Sequence, residues 1–326
     1  MSGAHAPQKS SRGWLVIFFR WTAALLILGL LLHFLPLAPL RAAIGRVPPT
    51  RFLIILFCYL LAHAIGIAKW RMVVNAAGAG LDFASSAQCY AGGLFGTLFL
   101  PSIIGGDVVR LAVGLRRSAR PAAVVAGNVA DRFLDVTAQA GIVLVGLLLL
   151  PGAVPVQLQS AARRALVIAG IAALILAIFV FFLYRPLLAG RSMRFRRRLA
   201  LLRHALRSVS RRSYVLLIGW ALGTFIQTSF LVLTALLAVS CGLVLPLRIW
   251  LFAWPLAKLA AILPLTQGGI GVREAALVAL LVPFGAPAPL VLAAGLVWEG
   301  VIIAGGLVAG LTAFLLRRTE SVSSGP

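Results

Sequence analysis

Acidic residues are scarce in this chain: seven among 326, against 30 lysines and arginines. All charged residues together make up 11% of it, where a soluble domain carries roughly 25%. So few charges cannot clothe a water-facing surface, which excludes an ordinary soluble protein. Cysteine is nearly absent as well. Cys58, Cys89 and Cys241 each lie inside an apolar run, which excludes a disulfide framework and a CxxC site. The four histidines, His5, His33, His63 and His204, have no metal-ligand spacing. Nucleophilic catalysis needs a nucleophile with a positioned base, and neither histidines nor the three lysines are grouped to supply one. No ATP-binding loop is present. The sequence therefore points away from an enzyme, and no cofactor or metal is expected.

What the chain has is hydrocarbon. It is 61% hydrophobic, with a mean hydropathy of +1.04. A net charge of +23 would suit nucleic acid only on a soluble basic face. Here the arginines fall between apolar runs, the positive-inside pattern of a membrane protein, so nucleic acid is not an expected partner. A spanning helix needs about 20 mostly apolar residues. Six stretches qualify: 14–35, 51–70, 121–150, 165–184, 214–241 and 287–316. The first is long for a signal-peptide core and is followed by no clean small-x-small site, so it reads as an uncleaved span. The expected organisation is an N-terminal tail over 1–13, one transmembrane domain over 14–316 and a C-terminal tail over 317–326.

Two further apolar stretches, 84–118 and 247–284, are broken in the middle by Pro and paired Gly. Each flank is too short to cross, and non-helical backbone at membrane depth is tolerated only under protein or along a wet cavity. Both read as re-entrant helical hairpins. Their centres match. Leu100-Pro101-Ser102-Ile103-Ile104-Gly105-Gly106-Asp107-Val108-Val109-Arg110 and Leu263-Pro264-Leu265-Thr266-Gln267-Gly268-Gly269-Ile270-Gly271-Val272-Arg273 share L-P-x-x-x-G-G-x-x-V-R at an offset of 163. Matching broken segments in two halves are a sequence pointer to a transporter's binding site. Ten arginines in 185–212 set that segment on the cytoplasmic side, against six arginines on all segments assigned outside. Both termini then lie in the cytoplasm, as expected for a multi-pass protein of the cell membrane. Each half reads span, span, hairpin, span, in opposite orientations: repeat one is about 14–162 and repeat two about 163–316. The expected fold is thus an all-α integral membrane protein, with about six spanning helices and two re-entrant helical hairpins in an inverted repeat. Arg41, Arg46 and Arg51, crowded into one outside loop, run against the rule. Within 191–212, Leu199, Leu202, Leu206 and Val209 form a narrow apolar stripe beside Arg203, Arg207 and Arg211. This suits either a helix lying in the interface against anionic lipid or a solvated loop.

Five of the seven acids, Asp107, Asp131, Asp135, Glu274 and Glu299, fall at the hairpin centres or inside spans. Intramembrane ionisable residues are costly and point to function; the competing reading is that they only pair with arginines. Asn128, Asp131, Arg132, Asp135 and Gln139 share one face of the span 121–150, about 16 Å along its axis. Such a face suits a headgroup, a cation or a proton, or else a polar seam between helices. Arg132 can pair with Asp135 at i+3, leaving Asp131 the less committed acid. After each Gly-Gly a short helix restarts, carrying Arg110 or Arg273. A helix N-terminus with nearby Arg suits a phosphate, Gly105, Gly106, Gly268, Gly269 and Gly271 allow close approach of backbone, and Asp107 and Glu274 can hold the arginines when the site is empty. Two such tips would meet near the membrane middle. Lys258 and Glu299 are placed for a possible contact, and Thr224, Gln227 and Thr228 read as helix packing.

Gly105-Gly106-Asp107-x-x-Arg110, Asp131-Arg132-x-x-Asp135 and Gly268-Gly269-Ile270-Gly271-x-Arg273-Glu274 together resemble the signatures of the flippase-like family of the lysylphosphatidylglycerol synthase transmembrane region. The likeness runs over about 14–316. In two-part members the transmembrane part moves aminoacylated phosphatidylglycerol between leaflets, and a soluble domain makes it. The sequence ends at Pro326 without such a domain, so the resemblance implies movement of lipid and not its aminoacylation. Stand-alone relatives are linked to polyprenyl-phosphate sugars and other envelope lipids. Residues and resemblance together lead to a transporter of a phosphate-headed lipid, of aminoacyl phospholipid or polyprenyl-phosphate-linked glycan type. The alternative is a membrane accessory subunit that presents a lipid-linked substrate to a separate glycosyltransferase or lipid-modifying enzyme. Expected partners are membrane lipids, anionic ones above all.

Overall fold

The computed structural model describes residues 37–100, 104–150, 193–261, 266 and 268–323, with single positions 22, 26 and 29. The expected span 165–184 lies outside the described residues, as does 14–35 but for those three positions. Among the described residues all regular structure is helical. In chain order the helices are α1 (Leu37–Gly45), α2 (Pro49–Ala76), α3 (Phe83–Thr97), α4 (Ile104–Arg117), α5 (Pro121–Leu148), α6 (Met193–Ser210), α7 (Ser213–Ser240), α8 (Leu247–Ala260), α9 (Val272–Leu281), a 3-10 turn (Val282–Phe284) and α10 (Ala288–Ser323).

Pro at the first position starts α2 and α5, where its missing N–H costs nothing. Asp82 caps α3 by accepting from Ser85 N at 3.2 Å, and hydrogen bonding from Ser85 holds its carboxyl below the usual range. Among the described residues three helices are long and apolar enough to cross a membrane: Pro49–Ala76, Ser213–Ser240 and Ala288–Arg317. Helix α5 matches α2 in length, at 28 residues, but carries Asp131, Arg132 and Asp135 on its inner side. Two features were not expected. Residues 37–45 form a helix where a loop was read, and α2 continues past 70 to Ala76.

Helices α2 and α7 pack against each other antiparallel. At one end, Arg51 at the start of α2 donates to Ser240 Oγ at the end of α7 (2.9 Å). At the other, Ser208 of α6 donates to Ala76 O (2.9 Å) and Ser118 to Ala79 O (2.7 Å). Both ends of the α3–α4 hairpin therefore sit beside the end of α2 that carries α6. The α8–α9 hairpin closes on itself as well, with Phe252 and Phe284 rings 6.4 Å apart. Each hairpin packs across the molecule: α3 lies on α10, and α8 lies on α5.

Of the two readings of 191–212, the helical one holds over Met193–Ser210, and Leu202, Leu206 and Val209 belong to one apolar cluster with Val73, Val74 and Val124 of α2 and α5.

The two Gly-Gly pairs, alike in sequence, do different work. Gly105 and Gly106 lie inside the first turn of α4, so the helix restarts before them, at Ile104. A Cβ on Gly106 would fall 2.1 Å from Thr97 Oγ1 and 2.5 Å from Gly93 O. The pair lets the two hairpin arms touch. Gly268, Gly269 and Gly271 instead have φ of 58°, 81° and 83°, a left-handed turn that leads into α9. We expect Gly106→Ala to lower stability by about 1–3 kcal/mol through overpacking. Thermal melting in detergent measures it, and an unchanged melting temperature would mean that the arms can part at no cost.

Candidate functional site

The two hairpin tips meet: Gly268 N lies 3.4 Å from Leu100 O. Beside this junction is a buried cavity of about 100 Å³ between α2, α3, α4, α5, α7 and α8. Its wall holds six charged side chains in a closed ring. Lys69 Nζ lies 2.8 Å from Asp131 Oδ1 and 2.6 Å from Asp135 Oδ1. Asp131 Oδ2 is 3.5 Å from Arg110 Nη1, and Arg110 Nη2 is 3.0 Å from Asp107 Oδ1. The same Asp107 oxygen takes Arg132 Nη2 at 2.5 Å, and Arg132 Nη1 returns to Asp135 Oδ2 at 3.6 Å. Three acids thus alternate with three bases. The ring is neutral, which is what makes its burial tolerable.

One cation stands outside the ring. Lys258 of α8 lines the same cavity, donates to Gln227 Oε1 at 2.6 Å and lies 5.1 Å and 5.4 Å from the ring centres of Trp254 and Phe230. It has no carboxylate within ion-pair distance among the described residues. Arg110 lies over Tyr90, 4.4 Å from its ring centre, while its Nε, like that of Arg132, is buried without a hydrogen-bond acceptor among the described residues. His63 also lines the cavity, its Nδ1 3.3 Å from Tyr90 Oη.

A second cluster lies behind the second tip. Arg273 donates through Nε and Nη2 to Glu274 Oε1, at 3.1 Å and 2.7 Å. It also donates to Glu299 Oε2 of α10. The other Glu274 oxygen accepts from Gly271 N at 2.7 Å, so the first turn of α9 is capped by the chain's own carboxylate. All three side chains are buried. One guanidinium serves two acids, and the cluster carries one excess negative charge. Glu299 also borders an apolar cleft of about 220 Å³ with Phe99, Ile303 and Leu307.

The sequence-predicted residues thus divide. Gly106, Asp107, Arg110, Asp131, Arg132 and Asp135 line the cavity. Asn128 does not; it accepts from Trp70 Nε1 at 3.1 Å. Gln139 is buried outside it. Gly105 packs on Leu100, Gly268 touches the opposite tip, and Gly269 and Gly271 shape the turn. Arg273, Glu274 and Glu299 bind one another and not the cavity. Asp131 is not the less committed acid, because Lys69 joins it to Asp135. Glu299 meets Arg273 and not Lys258. Sequence reasoning missed Lys69, His63, Tyr90 and the role of Gln227. The available signal was a lysine inside an apolar run. Among the described residues no three His, Cys, Asp or Glu converge on a metal position.

The family model for the lysylphosphatidylglycerol synthase TM region matches residues 15–310, nearly the whole chain. The chain belongs to this family. No curated protein and no solved structure matches it significantly. Membership of the lysylphosphatidylglycerol synthase TM region family and the long apolar helices together make it a membrane protein with a lipid-related role.

Proposed function

We propose that this protein moves a phosphate-headed lipid between the two leaflets. The observation that carries the reading is the cavity. It combines a cation without a paired carboxylate, Lys258, with donors on Arg110 and Arg132 that have no acceptor among the described residues, and an arm of each hairpin lines it. An apolar groove of about 430 Å³ runs along the neighbouring faces of α2 and α7, past Leu61, Ile65, Phe225 and Val232. Leu61 and Phe225 are exposed there, where hydrocarbon would surround them. Helices α2 and α7 serve both spaces, since His63, Lys69 and Gln227 face the cavity. A lipid can lay its tail in the groove and its anionic head in the cavity. The head then competes with Asp107 and Asp131 for Arg110.

An inverted repeat supplies the two states that transport needs. The packing supports it: exchanging α2, α3 and α5 with α7, α8 and α10 turns the α3–α10 contact into α8–α5 and leaves the central α2–α7 pair on itself. We assign the end that carries α6, with its arginines, to the cytoplasm. The protein acts on no covalent bond in this reading.

The test is leaflet exchange of a fluorescent phosphatidylglycerol in vesicles holding only the purified protein. We expect the protein to speed exchange over empty vesicles, and Lys258→Met to slow it by about tenfold or more, as for loss of a charged contact. Exchange no faster than in empty vesicles, from folded protein, would remove the transport reading and favour the accessory one.

A further inference from the structure

Formal charge over the cavity wall and the cluster behind the second tip comes to zero only when both are taken together. The ring of Lys69, Arg110 and Arg132 with Asp107, Asp131 and Asp135 is neutral by itself. Lys258 adds one positive charge, and Arg273 with Glu274 and Glu299 adds one negative. No contact joins Lys258 to that second cluster, so the two charges balance at a distance. A monoanionic headgroup that settles on Lys258 cancels its charge locally. It leaves the Glu274–Glu299 pair with one guanidinium for two carboxylates and no other compensation. Net charge in a low-dielectric interior is strongly disfavoured, and a buried group takes or sheds a proton before it bears it.

We propose that the core takes up one proton with each monoanionic headgroup it binds: Lys258 is the cation that receives the anion, and the Glu274–Glu299 pair is the counterpart that holds the added proton. The proposal rests on the transport reading and deepens it by naming the coupling ion. One negative and one positive charge enter together, so the core ends as neutral as it began. The geometry gives the proton a place. Among the described residues Glu299 Oε2 meets only Arg273, whose Nε and Nη2 both also serve Glu274, and Glu299 borders the cleft beside the first hairpin tip. The charged and titratable groups within reach of Glu299 are Arg273 and Glu274 of α9 and Tyr59 of α2. Around Lys258 they are Asp135 and Arg132 of α5, Lys69 and His63 of α2, and Arg273.

The experiment uses dihexanoyl phosphatidylglycerol, a phosphodiester whose single negative charge does not titrate near neutrality. The purified full-length protein is titrated in detergent with a weakly buffered pH indicator, and binding is read in parallel by calorimetry. We expect close to one proton taken up per lipid bound by the wild type. Glu299→Gln, which keeps a hydrogen-bond acceptor for Arg273, should bind the lipid with little or no uptake. Glu274→Gln is the second variant, used if the first fails to fold. Binding by the wild type without proton uptake overturns the coupling and leaves the transport reading intact. Uptake unchanged in a folded glutamine variant overturns the assignment to this pair. Absence of binding to folded wild-type protein overturns both the transport reading and the coupling built on it.

Discussion

Lys69→Met should be among the most damaging single substitutions in the described chain. Lys69 is 3% exposed and, among the described residues, is the only cation in contact with both Asp131 and Asp135. Its removal leaves Asp131 to a long contact with Arg110 and Asp135 to a long one with Arg132, at 3.5 Å and 3.6 Å. Breaking a buried pair from one side costs about 3–5 kcal/mol. The expected result is a sharply lower melting temperature and poor yield. Adding Asp135→Asn should recover much of the loss, because the stranded charge goes with it. Melting of the single and double variants by a thiol-reactive dye or by light scattering decides the matter. A Lys69→Met protein as stable as wild type would mean that water reaches the ring and screens it.

Arg110 and Arg273 should behave differently, although they occupy matching places in the two motifs. Arg110 lines the cavity, keeps an unused Nε donor and can trade Asp107 or Asp131 for a phosphate oxygen. Arg110→Ala should cut transport by roughly 10- to 150-fold, the range for a lost charge-assisted contact of about 1.5–3 kcal/mol. Arg110→Lys should fall between, with charge kept and the fork lost. Among the described residues Arg273 forms ion pairs only with Glu274 and Glu299, so Arg273→Ala should first lower the melting temperature, by about 3–5 kcal/mol in stability. The double with Glu299→Gln should regain part of it. Transport and melting measured on the same preparations separate the two effects. Normal transport by a stable Arg110→Ala protein would take that arginine out of the mechanism.

The hairpins were legible because Pro and paired Gly inside apolar runs permit few other structures in a membrane. The polar face of α5 was legible because 3.6-residue periodicity is a local property. Partners across the molecule were not. Only i+3 and i+4 neighbours can be read along one helix, so Asp135 seemed the natural mate of Arg132, while Lys69 lies 66 positions from Asp135. Lys69 also sat at the edge of the span read as 51–70. The helix runs on to Ala76, which carries that position inside. The Gly-Gly pairs show the converse limit. The same two letters serve a helix interior at 105–106 and a left-handed turn at 268–269, because what surrounds each pair sets its φ and the spacing does not.

The crossed packing of the hairpins sets an order of events at synthesis. Helix α3 is made early, yet the notches that receive its Phe95 and the adjoining Leu98 are Gly310 and Gly306 of α10, which is made much later. Helix α8 meets no such delay, since its groove at Gly146 of α5 is already in place. The first hairpin therefore waits, its arms joined at Gly93 and Gly106 but one flank uncovered, until α10 arrives to close it.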